Sequence, residues 1–97
     1  MNGKQRTYLK KLAHDMQPLF QIGKNGITEN FIEQINQALD ARELIKCKVL
    51  NNSLLDAKET ANELARVTNA EFVQAIGNKF TLYRESKDNK KIVLPRV

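Results

Sequence analysis

The sequence predicts a small α/β domain, and three observations carry that prediction. Apolar residues recur at helical spacing in three separate segments, they alternate with polar ones in a fourth, and Gly- and Asn-containing turns stand where one pattern gives way to the next. The resulting order, α-β-α-β-α-β-β, implies a small mixed four-stranded sheet covered by helices. Two right-handed β-α-β crossovers would join parallel strands, and a hairpin would follow. A chain of 97 residues makes one domain, 1–97, with a single core.

The first helix is read over residues 4–16. Leu9, Leu12, Ala13 and Met16 fall on one face, and Lys4, Arg6, Lys10 and Lys11 occupy the others. Pro18 fits a stop just before it, because the residue preceding a proline is pushed out of the helical region. Leu19–Ile22 is a short strand, Gly23-Lys24-Asn25-Gly26 a tight loop, and Thr28 the cap of a second helix running to about Leu39. That helix turns Phe31, Ile32, Ile35 and Leu39 inward and carries Glu29 in its first turn.

Residues 43–50 alternate, with Ile45, Cys47 and Val49 on one side and Lys46 and Lys48 on the other. Leu44 and Leu50 share the lysines' parity, which implies partial cover at the ends of that face. Asn51-Asn52-Ser53 reads as a turn, and Asp56 with Glu59 three residues on starts a third helix. Its inner stripe is Ala57, Ala61, Leu64 and Ala65, and Asn69 is its left-handed stop. Glu71–Ile76 and Lys79–Arg84 are the last strands, joined by Gly77-Asn78 in the glycine-first order of a type II′ turn. Ser86–Lys91 reads as a mobile polar loop and Ile92–Pro95 as a short docked segment.

The glycine loop is the first candidate site. A strand that turns into a helix start brings bare backbone N–H groups beside the positive end of the helix, an arrangement that receives phosphate. Without a Cβ, Gly23 and Gly26 let a sugar-phosphate chain approach the backbone and allow positive φ at either position. Lys24 adds a mobile cation. Taken alone, the same four residues favour a plain strand-to-helix connection, since Asn-Gly is a common turn dipeptide, and neither a Walker loop nor a dinucleotide fingerprint is present.

Charge narrows the choice. The net charge of +5 favours polyanionic partners. Segments 1–27, 28–45, 46–55, 56–71 and 72–97 carry +4, −3, +2, −2 and +4, so the second and third helices are acidic outside while the other elements are basic. Aromatics make up 6% with no Trp, which argues against extensive base stacking; Tyr83, the strand aromatic of interest, reads as a half-buried sheet residue. One cysteine, Cys47, has no internal disulfide partner, and one histidine, His14, makes no metal site or catalytic triad. No enzyme, cofactor or small-molecule substrate is expected. The longest apolar run, Ile92-Val93-Leu94, is too short for a signal or membrane segment, so the chain is expected in the cytoplasm without a membrane partner.

Several runs together resemble a known family. They are Leu19–Ile27 with its G-K-N-G loop, Gln37-Ala38-Leu39-Asp40 followed by Glu43–Lys48, Val73–Gly77, Leu82-Tyr83-Arg84 and Ile92–Pro95. In this order and spacing they resemble the CRM (chloroplast RNA splicing and ribosome maturation) domain in its stand-alone bacterial YhbY-like form, over nearly the whole chain. The resemblance implies a fold similar to the C-terminal domain of a bacterial translation initiation factor. It also implies RNA binding through the G-x-x-G loop and neighbouring basic surface, and association with precursors of the large (50S) ribosomal subunit. The loop role falls on Gly23, Lys24, Asn25 and Gly26, and Arg6, Lys10, Lys11, Lys46, Lys48 and Arg84 complete the expected surface. Cys47 stands where a β-branched residue is usual and Asn69-Ala70 where a glycine is expected, both structural departures. The loop also looks like that of KH domains, where it joins two helices.

The leading expectation is therefore a monomeric, non-enzymatic protein that binds ribosomal RNA during large-subunit assembly. A second reading is a protein-interaction adaptor whose basic face docks an acidic assembly factor. It shares the charge evidence but needs neither glycine. An RNA-modifying enzyme lacks any candidate site.

Overall fold

The structure is a computed structural model that describes residues 1–51 and 54–96. Its elements are α1 (Gly3–Ala13), β1 (Phe20–Ile22), α2 (Glu29–Arg42), β2 (Leu44–Val49), α3 (Ala57–Thr68), β3 (Glu71–Ile76) and β4 (Lys79–Tyr83). Of the turn read at residues 51–53, Asn52 and Ser53 lie outside the described residues.

Local chemistry sets the element ends. The Asn2 side chain accepts from the Gln5 N–H while the Gln5 side chain accepts from Asn2, a reciprocal box that starts α1. The Thr28 and Asp56 side chains accept from the Phe31 and Glu59 N–H groups at the starts of α2 and α3. Asn69 ends α3 at φ 57°, and Gly77 alone of its turn pair takes a positive φ, 61°, as a glycine-first hairpin requires.

The strands form one sheet in the order β1-β2-β4-β3. β1 runs parallel to β2, whereas β4 is antiparallel to both its neighbours. β3 is therefore parallel to β2, as the crossover predicts, but the returning strand β4 inserts between them. α2 and α3 cover one face over Ile22, Ile35, Leu39, Ile45, Cys47, Leu64, Phe80 and Leu82. α1 lies on the other face, where Leu9 and Ala13 pack against Leu44, Val73 and Tyr83. Leu12, read as part of the inward stripe, is 40% exposed, because α1 touches only half of this sheet face and a narrower stripe suffices.

The sheet has two chemically different ends. At the Leu44/Tyr83 end, Glu43 is fully buried and caps α2 at φ 67°. Its Oε1 accepts from the Lys91 and Ile92 N–H groups and its Oε2 from that of Ser86. Burial alone would raise this carboxyl, but those three backbone bonds and the Lys90 ammonium outweigh it and hold the pKa below the ordinary glutamate value. The segment after β4 is thus pinned rather than free: Ser86 is buried, and Asn89 bonds to Ser86 Oγ and to the Asp40 carbonyl. The reading of 86–91 as a mobile loop missed Glu43, whose partners lie more than 40 residues away. Beyond it, Ile92 and Leu94 dock on the α1 cluster as expected, and Gln5 Nε2 donates to the Pro95 carbonyl.

Candidate nucleic-acid interface

The glycine loop sits at the opposite end, where β1 and β2 finish. Its base is fixed by the Leu50 N–H donating to Ile22 O (2.9 Å), by the Gly26 N–H closing onto Gly23 O (3.0 Å), and by an edge-on contact of Phe20 with Phe31 (5.8 Å between centroids). Positive φ is needed only at Gly26, at 65°. Gly23 has no such need, and a Cβ there would meet Leu50 Cδ1 at an ordinary 3.8 Å. Lys24 and Asn25 are exposed at the tip.

Beside the tip lies an open depression of about 470 Å³, lined by the loop with Gln21, Leu50 and the α2 start at Thr28, Asn30, Phe31 and Gln34. The first helical N–H groups lack intrahelical partners and, apart from the Phe31 N–H that Thr28 caps, are polarised donors toward an anion. Glu29 is the acidic residue of the same turn.

From the loop the site continues across the sheet face that α1 leaves bare. Register places Gln21 beside Lys48, Lys48 opposite Lys79, and Lys79 opposite Ile76. Lys46, Thr81 and Gln74 form the next row. Two lysines directly opposed on antiparallel strands repel at about 4.5–5.5 Å between Cβ atoms, a cost that folding alone gives no reason to keep. Among the described residues, neither these lysines nor Lys24, Arg6, Lys10 or Lys11 has an ion-pair partner within 4.0 Å. Lys79 was not among the residues expected here; only the strand register, not the local pattern, opposes it to Lys48.

The expected basic neighbours divide. Lys10 and Lys11 lie exposed on the last turn of α1, the turn nearest the open half of the sheet. Lys46 and Lys48 are half-buried on the expected face, and Lys46 Nζ donates to the Ala13 carbonyl at the end of α1 (3.2 Å). Arg6 is half-buried, with Nε enclosed and unpaired among the described residues.

Arg84 stands apart from the other expected basic residues. It lies at the Glu43 end, where Nη1 donates to Asn36 Oδ1 and the Thr68 carbonyl, and Nη2 to the Asn36 carbonyl and Asp40 Oδ1, at 2.6–3.0 Å. The guanidinium caps the end of α3 and ties it to α2. It is a structural clamp remote from the loop. A second depression of about 470 Å³, beside Met1, Glu71, Arg84 and Val93, also lies at that far end.

The remaining chemistry is quiet. Burial pushes the Cys47 thiol up to about 12, so no thiolate nucleophile forms at neutral pH. Among the described residues no three His, Cys, Asp or Glu side chains gather to hold a metal, and no helix is long and apolar enough to cross a membrane.

A mixed α/β domain whose lysines around a glycine loop at one end lack ion pairs among the described residues belongs, by fold and charge, with small nucleic-acid-binding modules. The chain is a member of the CRS1 / YhbY (CRM) domain family, whose model matches residues 1–84. It is 47% identical over 95 residues to the "Probable RNA-binding protein YqeI" of Bacillus subtilis, covering 98% of this chain and 99% of that one. It is 41% identical over 96 residues to an "RNA-binding protein" of Haemophilus influenzae, covering 99% and 96%. These names are those of RNA-binding proteins rather than enzymes. The solution structure of the hypothetical protein SAV1595 from Staphylococcus aureus superposes with a TM-score of 0.81 at 54% identity, over 98% of this chain and 99% of that one.

Proposed function

We propose that this chain is a monomeric, non-enzymatic cytoplasmic protein that binds ribosomal RNA in precursors of the large ribosomal subunit. Its contact surface is the Gly23-Lys24-Asn25-Gly26 loop, the Lys10/Lys11 turn of α1, and the Lys46, Lys48 and Lys79 side chains of the open sheet face, with Arg6 at the margin. The observation that carries the reading is the like-charge pair Lys48–Lys79 next to the loop, left without an ion-pair partner among the described residues. A polyanion relieves that repulsion on binding. The ribosomal assignment follows from the family resemblance.

The test is sucrose-gradient fractionation of cell extract at low and moderate salt with wild type, Gly23→Ala and Lys24→Ala. Gly23→Ala is the clean glycine probe because the fold has room for its methyl, whereas any side chain at Gly26 strains the backbone. Wild type is expected with large-subunit precursors, and both variants displaced toward the top as salt rises. All three co-migrating alike would reduce the loop to a turn. Wild type remaining at the top would end the ribosomal reading.

A further inference from the structure

The open half of the sheet face holds a recess as well as charge. The register of β3 against β4 slips between Phe72 and Gln74. In a regular strand Val73 and Gln74 would face opposite ways, but the bulge lets both serve the α1 side. Val73 is sealed in the α1 cluster, while Gln74 reaches the uncovered part. Between the end of α1 and the β3–β4 hairpin this leaves a groove of about 230 Å³, lined by His14, Lys46, Gln74, Ile76, Lys79 and Thr81.

We propose that this groove receives one unpaired nucleobase of the bound RNA and discriminates among bases. The inference rests on the RNA-binding reading above and adds to it a base-reading pocket separate from the loop.

Four features of the lining match such a ligand. Thr81 is 1% exposed, and its hydroxyl oxygen is enclosed without a partner among the described residues. Buried hydroxyls are normally satisfied, and this one can accept from or donate to a base edge. Gln74 brings an amide, which pairs donor and acceptor with a base edge as adenine recognition requires. Ile76, 68% exposed, offers an apolar surface to the flat face of the base. Lys46 and Lys79 flank the groove as phosphate partners on either side of the flipped nucleotide, and Lys46 is already oriented by its bond to Ala13.

Pockets for drug-sized molecules run to about 300–1,000 Å³, so a groove of about 230 Å³ suits a single ring system, and of a bound RNA an unpaired base is the part that can enter it. No Phe, Tyr or Trp lines the groove and the His14 imidazole is its one ring, so stacking is limited to that side chain and edge hydrogen bonds dominate. The groove therefore sets preference more than affinity.

Fluorescence anisotropy on the full chain tests this, with 5′-labelled single-stranded oligo(A), oligo(C) and oligo(U) RNA at one fixed salt concentration, followed by a salt titration of each variant. Wild type is expected to favour one of the three by about fivefold or more, the discrimination a good edge contact supplies. Thr81→Val and Gln74→Ala are expected to shrink that ratio to about twofold or less while the salt slope stays unchanged. Thr81→Val keeps the side-chain shape, and circular dichroism checks its fold. Should it unfold, Gln74→Ala decides alone. Lys24→Ala is expected to weaken all three oligonucleotides together and keep their ratio.

Equal wild-type affinities, or a preference that survives both groove substitutions, overturns the groove. If Lys24→Ala still weakens binding in that case, the loop reading stands without it. A wild type that binds none of the three removes RNA binding and the groove together.

Discussion

The two ends of the sheet treat charge in opposite ways. At the Glu43 end a buried carboxylate accepts three backbone N–H groups, and a guanidinium donates four hydrogen bonds to α2 and α3. At the loop end, Lys24, Lys48 and Lys79 stand without ion pairs among the described residues, two of them facing each other. One end uses its charges to hold the chain together; the other, on the proposed reading, leaves them for RNA. Net charge per segment cannot tell these apart, because Arg84 and Lys79 lie on neighbouring stretches of the same basic C-terminal segment.

The largest effect that would sharpen this contrast is at Glu43. Glu43→Ala leaves three N–H groups without their acceptor and is expected to cost about 3–5 kcal/mol, a large share of the stability of a domain this size. Urea denaturation measures it, and a loss below about 1 kcal/mol would show that the clasp is dispensable. Because the folded carboxyl titrates below the unfolded one, its contribution is complete above the unfolded pKa. It drains away as the pH falls through the folded value. Glu43→Gln is therefore expected to flatten the acid limb of stability against pH, and an unchanged limb would assign it to other carboxylates.

Next comes Arg84→Ala, expected to destabilise by about 2–4 kcal/mol because the clamp between α2 and α3 is removed. RNA affinity of the folded fraction is expected to stay within about twofold of wild type, since the clamp makes no phosphate contact. A reduced salt slope for this variant would put Arg84 back on the interface.

The smallest stability change, and the most informative sign, belongs to Lys48→Ala and Lys79→Ala. Relief of cross-strand repulsion is expected to leave stability unchanged or raise it by a few tenths of a kcal/mol, up to about 1. RNA binding is expected to weaken, with the salt slope reduced by about 0.7 for each single-strand phosphate that the variant no longer neutralises. Destabilisation with unaltered binding would mean that these lysines serve the fold.

The sequence announced what short-range chemistry decides. Thr28, Asp56 and Asn69 mark helix ends by bonds spanning three or four residues, and Gly77-Asn78 marks a hairpin by its own dihedrals. The four-stranded mixed sheet followed from those elements. The insertion of β4 between β2 and β3 did not, because strand order depends on pairings that no local pattern encodes. The same limit hid Glu43, whose partners lie 43–49 residues away, and misplaced Arg84, whose donors reach Asn36 and Asp40 across 44–48 residues. At the candidate site, the glycines and the alternating lysines were visible as letters. Lys79 and Thr81 became part of it only once register set them opposite Lys48 and Lys46.

The bond from Gln5 to Pro95 brings the first helix and the last described residues within 3.2 Å, at the end of the sheet remote from the loop. In an engineered tandem array, both joints would therefore emerge on the same side, and every glycine loop would point away from the linkers. Several copies strung on one polypeptide could grip a single RNA together, with the effective concentration set by linker length and stiffness.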